Sequence, residues 1–126
     1  MAVKDNSVIE KQNLPGLEHQ TLAGPKDGLA GMEVWMQTIA SGAATPVHRH
    51  DCEEVIVVLK GSGTCMAEGE TTEFGPNSTL VVPRNAVHQI CNTGDSDMFI
   101  VATLGMAPAR VETQEGELLD LPWYQS

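Results

Sequence analysis

The sequence predicts a single all-β domain whose antiparallel strands form a sandwich or barrel. Twelve glycines and seven prolines interrupt the chain at short intervals, so little room is left for long helices. Between these interruptions lie segments rich in β-branched residues, spaced roughly 8–12 residues apart and without a sustained helical period. At 126 residues the chain is about the size of one domain.

The predicted strands fill the middle of the chain. They cover residues 33–40, 53–60, 64–68, 71–74, 78–82, 87–92 and 98–104. Each is bounded by Gly, Pro, Asn, Asp or Ser, the residues that commonly form turns. The core of the domain is therefore expected at about residues 31–106, between an N-terminal arm of residues 1–30 and a C-terminal tail of residues 107–126.

The two ends of the chain admit alternatives. In the arm, residues 7–12 and 16–22 are compatible with either edge strands or a loose segment. In the tail, residues 112–121 are long enough for about two turns of helix. The sequence contains no internal repeat and no low-complexity segment, and the linker-like stretch of residues 23–31 is short enough to be a loop. A single domain of residues 1–126 is therefore expected.

Composition restricts the partners and the location of the protein. Seven basic residues against 17 acidic ones give a net charge of −10, which argues against nucleic acid and anionic membranes as partners. The longest apolar runs, at residues 55–59 and 98–102, are far shorter than the roughly 18 residues of a membrane span. The first residues lack the apolar core of a secretory signal, and three cysteines do not suggest a disulfide framework. We therefore expect a soluble, reduced, cytoplasmic protein.

Three of the four histidines fall in two strand-like segments. His48 and His50 lie two residues apart, so in an extended segment both side chains point to the same face. Glu54 follows at an even offset and adds a carboxylate to that face if the alternation continues. His88 comes from another strand, which a folded-over sheet would bring close. Such a ligand set suits Zn, Fe, Mn, Ni or Cu and does not suit Mg or Ca.

Two longer patterns contain these residues. From Gly42 to Gly61 the chain reads G-x5-H-x-H-x3-E-x6-G, and from Pro83 to Asn92 it reads P-x-N-x2-H-x3-N. They resemble the two motifs of the cupin superfamily, which has Gly where this chain has Asn85. Asn tolerates the left-handed backbone nearly as well, so the turn is expected to form. The resemblance implies an antiparallel double-stranded β-helix, or jelly-roll barrel. It also implies a mononuclear metal site formed by His48, His50, Glu54 and His88.

A second resemblance covers most of residues 13–104. The runs TPVHRHDCEEV, VLKGSGT and NST are similar to those of the plant auxin-binding proteins, which are zinc cupins. The resemblance implies a carboxylate ligand on the metal, with Thr45 and Pro46 lining its pocket and Trp123 or Tyr124 covering its ring. The alternative for Trp123 is an anchor that packs on the outside of the barrel. The fourth histidine, His19, is expected to be exposed or hydrogen-bonded rather than a ligand.

Two functions follow from this site. The first is a binding module in which one divalent metal, zinc before the others, coordinates a small organic anion such as a carboxylate. The alternative is a metal-dependent enzyme, namely a dioxygenase, isomerase or decarboxylase that acts on a small carboxylate or enol. The sheet edges of so short a chain would be covered by a second copy, so a homodimer is expected.

Overall fold

The computed structural model describes residues 1–124, and this part of the chain is almost entirely β-structure. The strands are β1 (Gln12–Leu14), β2 (Leu17–Ala23), β3 (Glu33–Ile39), β4 (Glu54–Lys60), β5 (Gly63–Ala67), β6 (Glu70–Phe74), β7 (Ser78–Val82), β8 (His88–Asn92) and β9 (Met98–Leu104). Short 3₁₀ turns lie at Asn6–Val8, Pro25–Asp27 and Pro122–Tyr124. Over residues 1–124, none of the helical turns has the length and apolarity to cross a membrane. The predicted all-β fold is confirmed.

Two antiparallel sheets build the domain. The larger sheet has the strand order β1-β2-β3-β9-β4-β7, and the smaller sheet has the order β6-β5-β8. β9 pairs with β3 on one side and with β4 on the other, so that Ala102 lies opposite both Trp35 and Ile56. Because the central strand comes last in sequence, the middle of the sheet is formed by long-range pairing rather than by successive hairpins. This topology is consistent with the predicted jelly roll.

The core lies between the two sheets because alternate side chains of each strand point inward. In β9, Met98, Ile100 and Ala102 are buried while the residues between them are partly exposed. β3 follows the same period, with Trp35 and Ile39 buried. Burial of these side chains supplies the main driving force for folding, at about 1.5–3 kcal/mol for each large apolar residue.

The N-terminal arm contributes two strands to the larger sheet rather than a loose segment. β1 and β2 pair with each other, and β2 continues the larger sheet through β3, with His19 opposite Gln37. The first part of the arm is a 3₁₀ turn, which Gln20 holds by donating hydrogen bonds to the carbonyl oxygens of Asn6 and Ile9 at 2.8 and 3.0 Å. Residues 17–22 thus lie in a strand, as one of the two alternatives for residues 16–22 had it, but this strand is paired on both sides and the edge of the sheet is β1.

The tail does not form the helix considered for residues 112–121. Its backbone pairs instead with Arg49 and with Leu118 through isolated bridges at Glu112. A turn at Gly116, with φ of 87°, reverses the chain, and the Thr113 amide donates to the Glu117 carbonyl at 2.8 Å. A helix would break these pairings, so extended backbone is favoured. Within residues 107–124 of the tail, the 3₁₀ turn at Pro122–Tyr124 is the only helical element. This places the tail across one end of the barrel.

The close approach of β5 to its neighbours provides a test of the fold. A side chain at Gly63 would overlap the carbonyl oxygen of Cys91 and come within 2.8 Å of the Met98 Cε atom. Gly63→Ala should therefore lower the free energy of unfolding by about 2–3 kcal/mol, measured by urea denaturation. Gly75→Ala is the matched control, because no heavy atom lies within 4 Å of the place that a Cβ atom at residue 75 would occupy. Equal stabilities of the two variants would contradict this packing.

Candidate metal centre

Backbone pairing brings the two histidine segments together. The His48 amide donates to the His88 carbonyl at 3.1 Å, and the His88 amide donates to the His48 carbonyl at 2.8 Å. The Asn85 amide donates to the His50 carbonyl at 2.7 Å, and Asn85 has φ of 64°, which confirms the predicted left-handed turn. Glu54 begins β4, directly after this region. Residues from three segments are thus held at the junction of the two sheets.

The side chains of these residues converge inside the barrel. The imidazoles of His48, His50 and His88 each offer a ring nitrogen, and these nitrogens all lie within 4.8 Å of one another. The Glu54 Oε1 atom lies 3.5 Å from the Nε2 atom of His50 and 3.2 Å from that of His88. All four side chains are buried. The structure therefore gathers the four residues that the sequence singled out as metal ligands.

Each imidazole is oriented by a backbone carbonyl. The Nδ1 atoms of His48, His50 and His88 lie 2.6, 2.7 and 2.8 Å from the carbonyl oxygens of Pro46, Arg110 and Ala86 respectively. A carbonyl oxygen only accepts hydrogen bonds, so each Nδ1 atom carries the proton. In a neutral ring the Nε2 atom then keeps its lone pair. Metal-bound histidines are commonly fixed by this kind of hydrogen bond.

Burial favours the neutral form of the His48 and His50 rings. It is the main reason that the pKa of His48 lies well below its usual value, and the neighbouring His88 and His50 lower that pKa further. Burial also lowers the pKa of His50, although the nearby Glu54 carboxylate acts in the opposite direction. The imidazoles of His48 and His50 therefore remain available as neutral ligands rather than as cations that would pair with Glu54.

The donor atoms are arranged as a cation site would need them. In the part of the chain that the structure describes, the buried Nε2 atom of His50 and Oε1 atom of Glu54 have no hydrogen-bond partner. Two donors that bind one ion at about 2.0–2.1 Å are roughly 3.0–3.5 Å apart, which matches the distances from Glu54 to His50 and His88. Imidazole and carboxylate together suit a divalent transition metal. The residues present fit such an ion.

A small cavity of about 30 Å³ adjoins the cluster. His48, Glu54 and His88 line it, together with apolar side chains from both sheets and the tail. Thr45, Pro46 and Trp123, named as pocket residues from the sequence, also line it. For Trp123 this excludes an anchor confined to the outside of the barrel. The side chain of Tyr124 lies outside the described part of the structure.

The sequence did not indicate several other residues at the cavity. Trp35 and Gln37 contribute from β3, and Leu121 contributes from the tail. Trp35 and Gln37 lie at even offsets from the buried Ile39, so the alternation of β3 could have predicted that their side chains point inward. The position of Leu121 depends on the path of the tail. His19 was expected to be exposed or hydrogen-bonded; it is hydrogen-bonded and completely buried.

Comparison with known proteins assigns the chain to a family. A family model described as auxin binding protein matches residues 2–119. The chain is 45% identical over 107 residues to auxin-binding protein 1 of Arabidopsis thaliana, and the matched region covers 77% of this chain and 54% of that protein. It is 40% identical over 123 residues to auxin-binding protein T85 of Nicotiana tabacum, covering 86% of this chain and 66% of that protein. The chain thus spans about half to two thirds of the length of these relatives.

A solved structure supports the fold. The chain is similar to a sugar phosphate isomerase from a cupin superfamily of Silicibacter pomeroyi, with a TM-score of 0.75 and 16% identity, over 96% of this chain and 93% of that one. The barrel and its buried imidazole cluster define a cupin. Within this class, the chain belongs to the auxin-binding protein family. Both resemblances inferred from the sequence are confirmed.

Removal of one ligand should abolish tight metal binding. Loss of a residue that only orients a metal ligand typically lowers the affinity for the metal 10–100-fold. His50→Ala and Glu54→Gln remove a ligand itself, so they should weaken zinc binding by about 100-fold or more. Competition with a chelating dye measures this, and circular dichroism checks that each variant is folded. Glu33→Gln is the control, because Glu33 is also a buried carboxylate but accepts hydrogen bonds from Trp35 and Ala109. Zinc affinity unchanged in His50→Ala would exclude the assigned ligands.

Proposed function

We propose that the protein binds one divalent metal, with zinc as the first candidate, and that this metal coordinates the carboxylate of a small organic acid. The proposed metal ligands are His48, His50, Glu54 and His88. The observation that carries the proposal is the convergence of a buried carboxylate and neutral imidazoles on one point, with the His50 Nε2 and Glu54 Oε1 atoms left without hydrogen-bond partners. The similarity to auxin-binding proteins supports a small-molecule ligand.

Charge balance favours an anionic ligand. Three neutral imidazoles and one carboxylate around a divalent ion leave a formal charge of +1, so an anion at an open coordination position completes the site. The chain carries a net charge of −10, which opposes the approach of anions from a distance. Salt screens that field over about 8–10 Å, whereas the charge on a buried metal acts locally. The local attraction is therefore the stronger of the two.

The lining of the cavity favours an apolar body on the ligand. Pro46, Ile56, Ile100 and Val111 contribute apolar surface beside the cluster, and Trp123 offers an aromatic ring. An apolar pocket with a few convergent polar groups is the usual form of a small-molecule site. An aromatic carboxylate of the auxin type satisfies both the charge and the surface, and it is the ligand class that the names of the relatives suggest.

An enzyme remains the second candidate. The metal would supply Lewis acidity, and the structurally similar isomerase indicates that the fold can carry a reaction. Against it, every titratable side chain that the structure describes in the cavity lining belongs to the proposed ligand set. No further residue of the lining is thus placed to transfer a proton. This feature favours binding without turnover.

Calorimetry with a matched pair of compounds tests the proposal. Zinc-loaded protein should bind indole-3-acetate at least about tenfold more tightly than metal-free protein, because a charge-assisted interaction is worth about 1.5 kcal/mol or more. Indole, which lacks the carboxylate, should show no dependence on zinc. Equal affinities of the zinc-loaded and metal-free protein for indole-3-acetate would contradict metal coordination. Oxygen uptake by iron- or manganese-loaded protein with the same acid would favour the enzyme instead.

We also propose that the chain forms a homodimer through the larger sheet. β7 is an edge strand of that sheet, and beside it the outward side chains of β4 and β7 are exposed and apolar. They are Val55, Val57, Leu59 and Val81. Val55 and Val81 lie opposite each other in register, so the residues form one continuous patch. Exposed apolar patches on a sheet edge commonly mark protein interfaces.

The cytoplasmic location stays a prediction from the sequence.

A charge in this patch should separate the subunits. Val81→Lys places an ammonium group within the proposed interface, so the variant should sediment as a monomer at concentrations where the unaltered chain is a dimer. Val8→Lys is the matched control, because Val8 is exposed to a similar extent, 78% against 75%, and lies in the N-terminal arm. A monomeric unaltered chain, or a dimeric Val81→Lys variant, would contradict this interface.

A further inference from the structure

Trp123 lies between two spaces of very different size. On one side is the cavity of about 30 Å³ beside the imidazole cluster. On the other is a groove of about 400 Å³, which Trp123 lines together with Lys4, Ile9, Pro25 and Pro108. Small-molecule sites are usually about 300–1,000 Å³ in volume. The cavity alone therefore has room for little more than a water molecule or a very small anion, whereas cavity and groove together reach the usual range.

His19 holds the indole of Trp123 in this position. The two rings are stacked, with centroids 3.8 Å apart and planes inclined by 8°. The edge of Trp35 packs against His19 on another side, with centroids 5.0 Å apart. Trp123 belongs to the 3₁₀ turn that ends the described tail, while His19 lies in β2 of the larger sheet. The stack thus joins the tail to the rigid part of the barrel.

Hydrogen bonds fix the orientation of the imidazole of His19. The Gln37 Nε2 atom donates to the His19 Nδ1 atom at 3.0 Å, and the His19 Nε2 atom donates to the Thr21 hydroxyl oxygen at 2.8 Å. Both ring nitrogens are therefore used, and the ring is neutral. With its edge engaged in this way, the ring presents a face to the indole of Trp123. His19 is completely buried and lies outside the metal cluster, so a role in holding Trp123 accounts for its position.

We propose that His19 is a positioning residue for ligand binding: by stacking on Trp123 it holds the indole between cavity and groove and so restricts entry to very small anions until the stack opens. The proposal rests on the carboxylate-binding function proposed above. An aryl carboxylate would bind with its carboxylate toward the cluster and its ring in the space that Trp123 vacates. Acetate would bind without movement of Trp123. The stack therefore sets the size of the ligand that exchanges rapidly.

The surroundings of His19 make the stack sensitive to acid. The groups described as facing the ring are Gln12 of β1, Thr21 of β2, Trp35 and Gln37 of β3, and Trp123 of the tail, and none of them titrates in the physiological range. Burial alone lowers the pKa of His19 to about 3. When the stack opens, the ring meets water and its pKa returns toward about 6.5.

The sign of the pH effect follows from these two pKa values. His19 has the depressed pKa only in the closed form. The stability of the closed form relative to the open form is therefore fully present above pH 6.5 and is lost as the pH falls from about 6.5 toward about 3. Over that range each pH unit shifts the equilibrium by up to about tenfold toward the open form. Mild acid should therefore expose Trp123 without any change in the ligand.

Two substitutions at His19 separate stacking from hydrogen bonding. His19→Leu removes the flat ring, and His19→Phe keeps one; both lose the contacts to Thr21 and Gln37. Quenching of tryptophan fluorescence by acrylamide reports the exposure of Trp123, with Trp123→Phe giving the contribution of the buried Trp35. At pH 7.5, His19→Leu should show increased quenching of Trp123, and His19→Phe should resemble the unaltered chain. Equal quenching in His19→Leu and the unaltered chain would overturn the proposal, whether or not any carboxylate binds.

Ligand exchange tests the restriction on size. In zinc-loaded His19→Leu, the association and dissociation rates of indole-3-acetate should both rise by about two- to tenfold, the range that one aromatic pair is worth, while those of acetate stay unchanged. Unchanged rates for indole-3-acetate in a variant with exposed Trp123 would overturn the role in ligand entry. If the unaltered zinc-loaded protein binds neither acid, the proposed function fails, and the quenching experiment still decides whether His19 holds Trp123.

The pH profile distinguishes His19 from a merely structural residue. In the unaltered chain, quenching of Trp123 should increase between pH 7 and pH 5, whereas in His19→Phe it should stay constant because phenylalanine does not titrate. Thermal unfolding of both proteins at each pH confirms that the folded state is being measured. The same increase in both proteins would assign the acid response to another group and overturn this part of the proposal.

Discussion

The site depends on a buried carboxylate that faces the lone pairs of neutral imidazoles. Glu54 lies 3.2 Å from the Nε2 atom of His88 and 3.5 Å from that of His50, and the Nδ1 protons of both rings are already donated to backbone carbonyls. Without a cation, the oxygen and the nitrogens would be buried against each other with no proton between them, which is costly. A divalent metal held by these atoms would convert this repulsion into coordination.

The fold supplies this geometry through backbone pairing rather than through flexible loops. The reciprocal hydrogen bonds between His48 and His88 fix the distance between two segments that are far apart in sequence. Glu54 begins β4, whose neighbour β9 is the central strand of the larger sheet. When the backbone of a sheet holds the metal-binding side chains, these side chains stay in place while a small molecule enters or leaves the site. The tail, by contrast, crosses the end of the barrel and is the part that ligand entry would displace.

Sequence periodicity was sufficient to predict the strands of the core and the shared face of His48, His50 and Glu54, whereas the set of four side chains also needed the resemblance. His48, His50 and Glu54 share one parity, and the spacing around His88 completes a cupin pattern, so local rules and resemblance led to the same site. The tail was not predictable in this way. The helix considered for residues 112–121 is absent because Glu112 pairs with Arg49, a long-range contact that no local pattern encodes. The partnership of His19 with Trp123 likewise joins opposite ends of the chain.

X-ray absorption spectroscopy at the zinc edge of the loaded protein tests the central claim most directly. The account predicts a first shell of imidazole nitrogens and carboxylate oxygen at about 2.0–2.1 Å, with the outer-shell scattering of about three imidazole rings and no sulfur. A sulfur shell near about 2.3 Å would place the metal on cysteine instead. A shell of oxygen alone, without imidazole scattering, would mean that the metal lies outside the cluster, and either result would contradict the account.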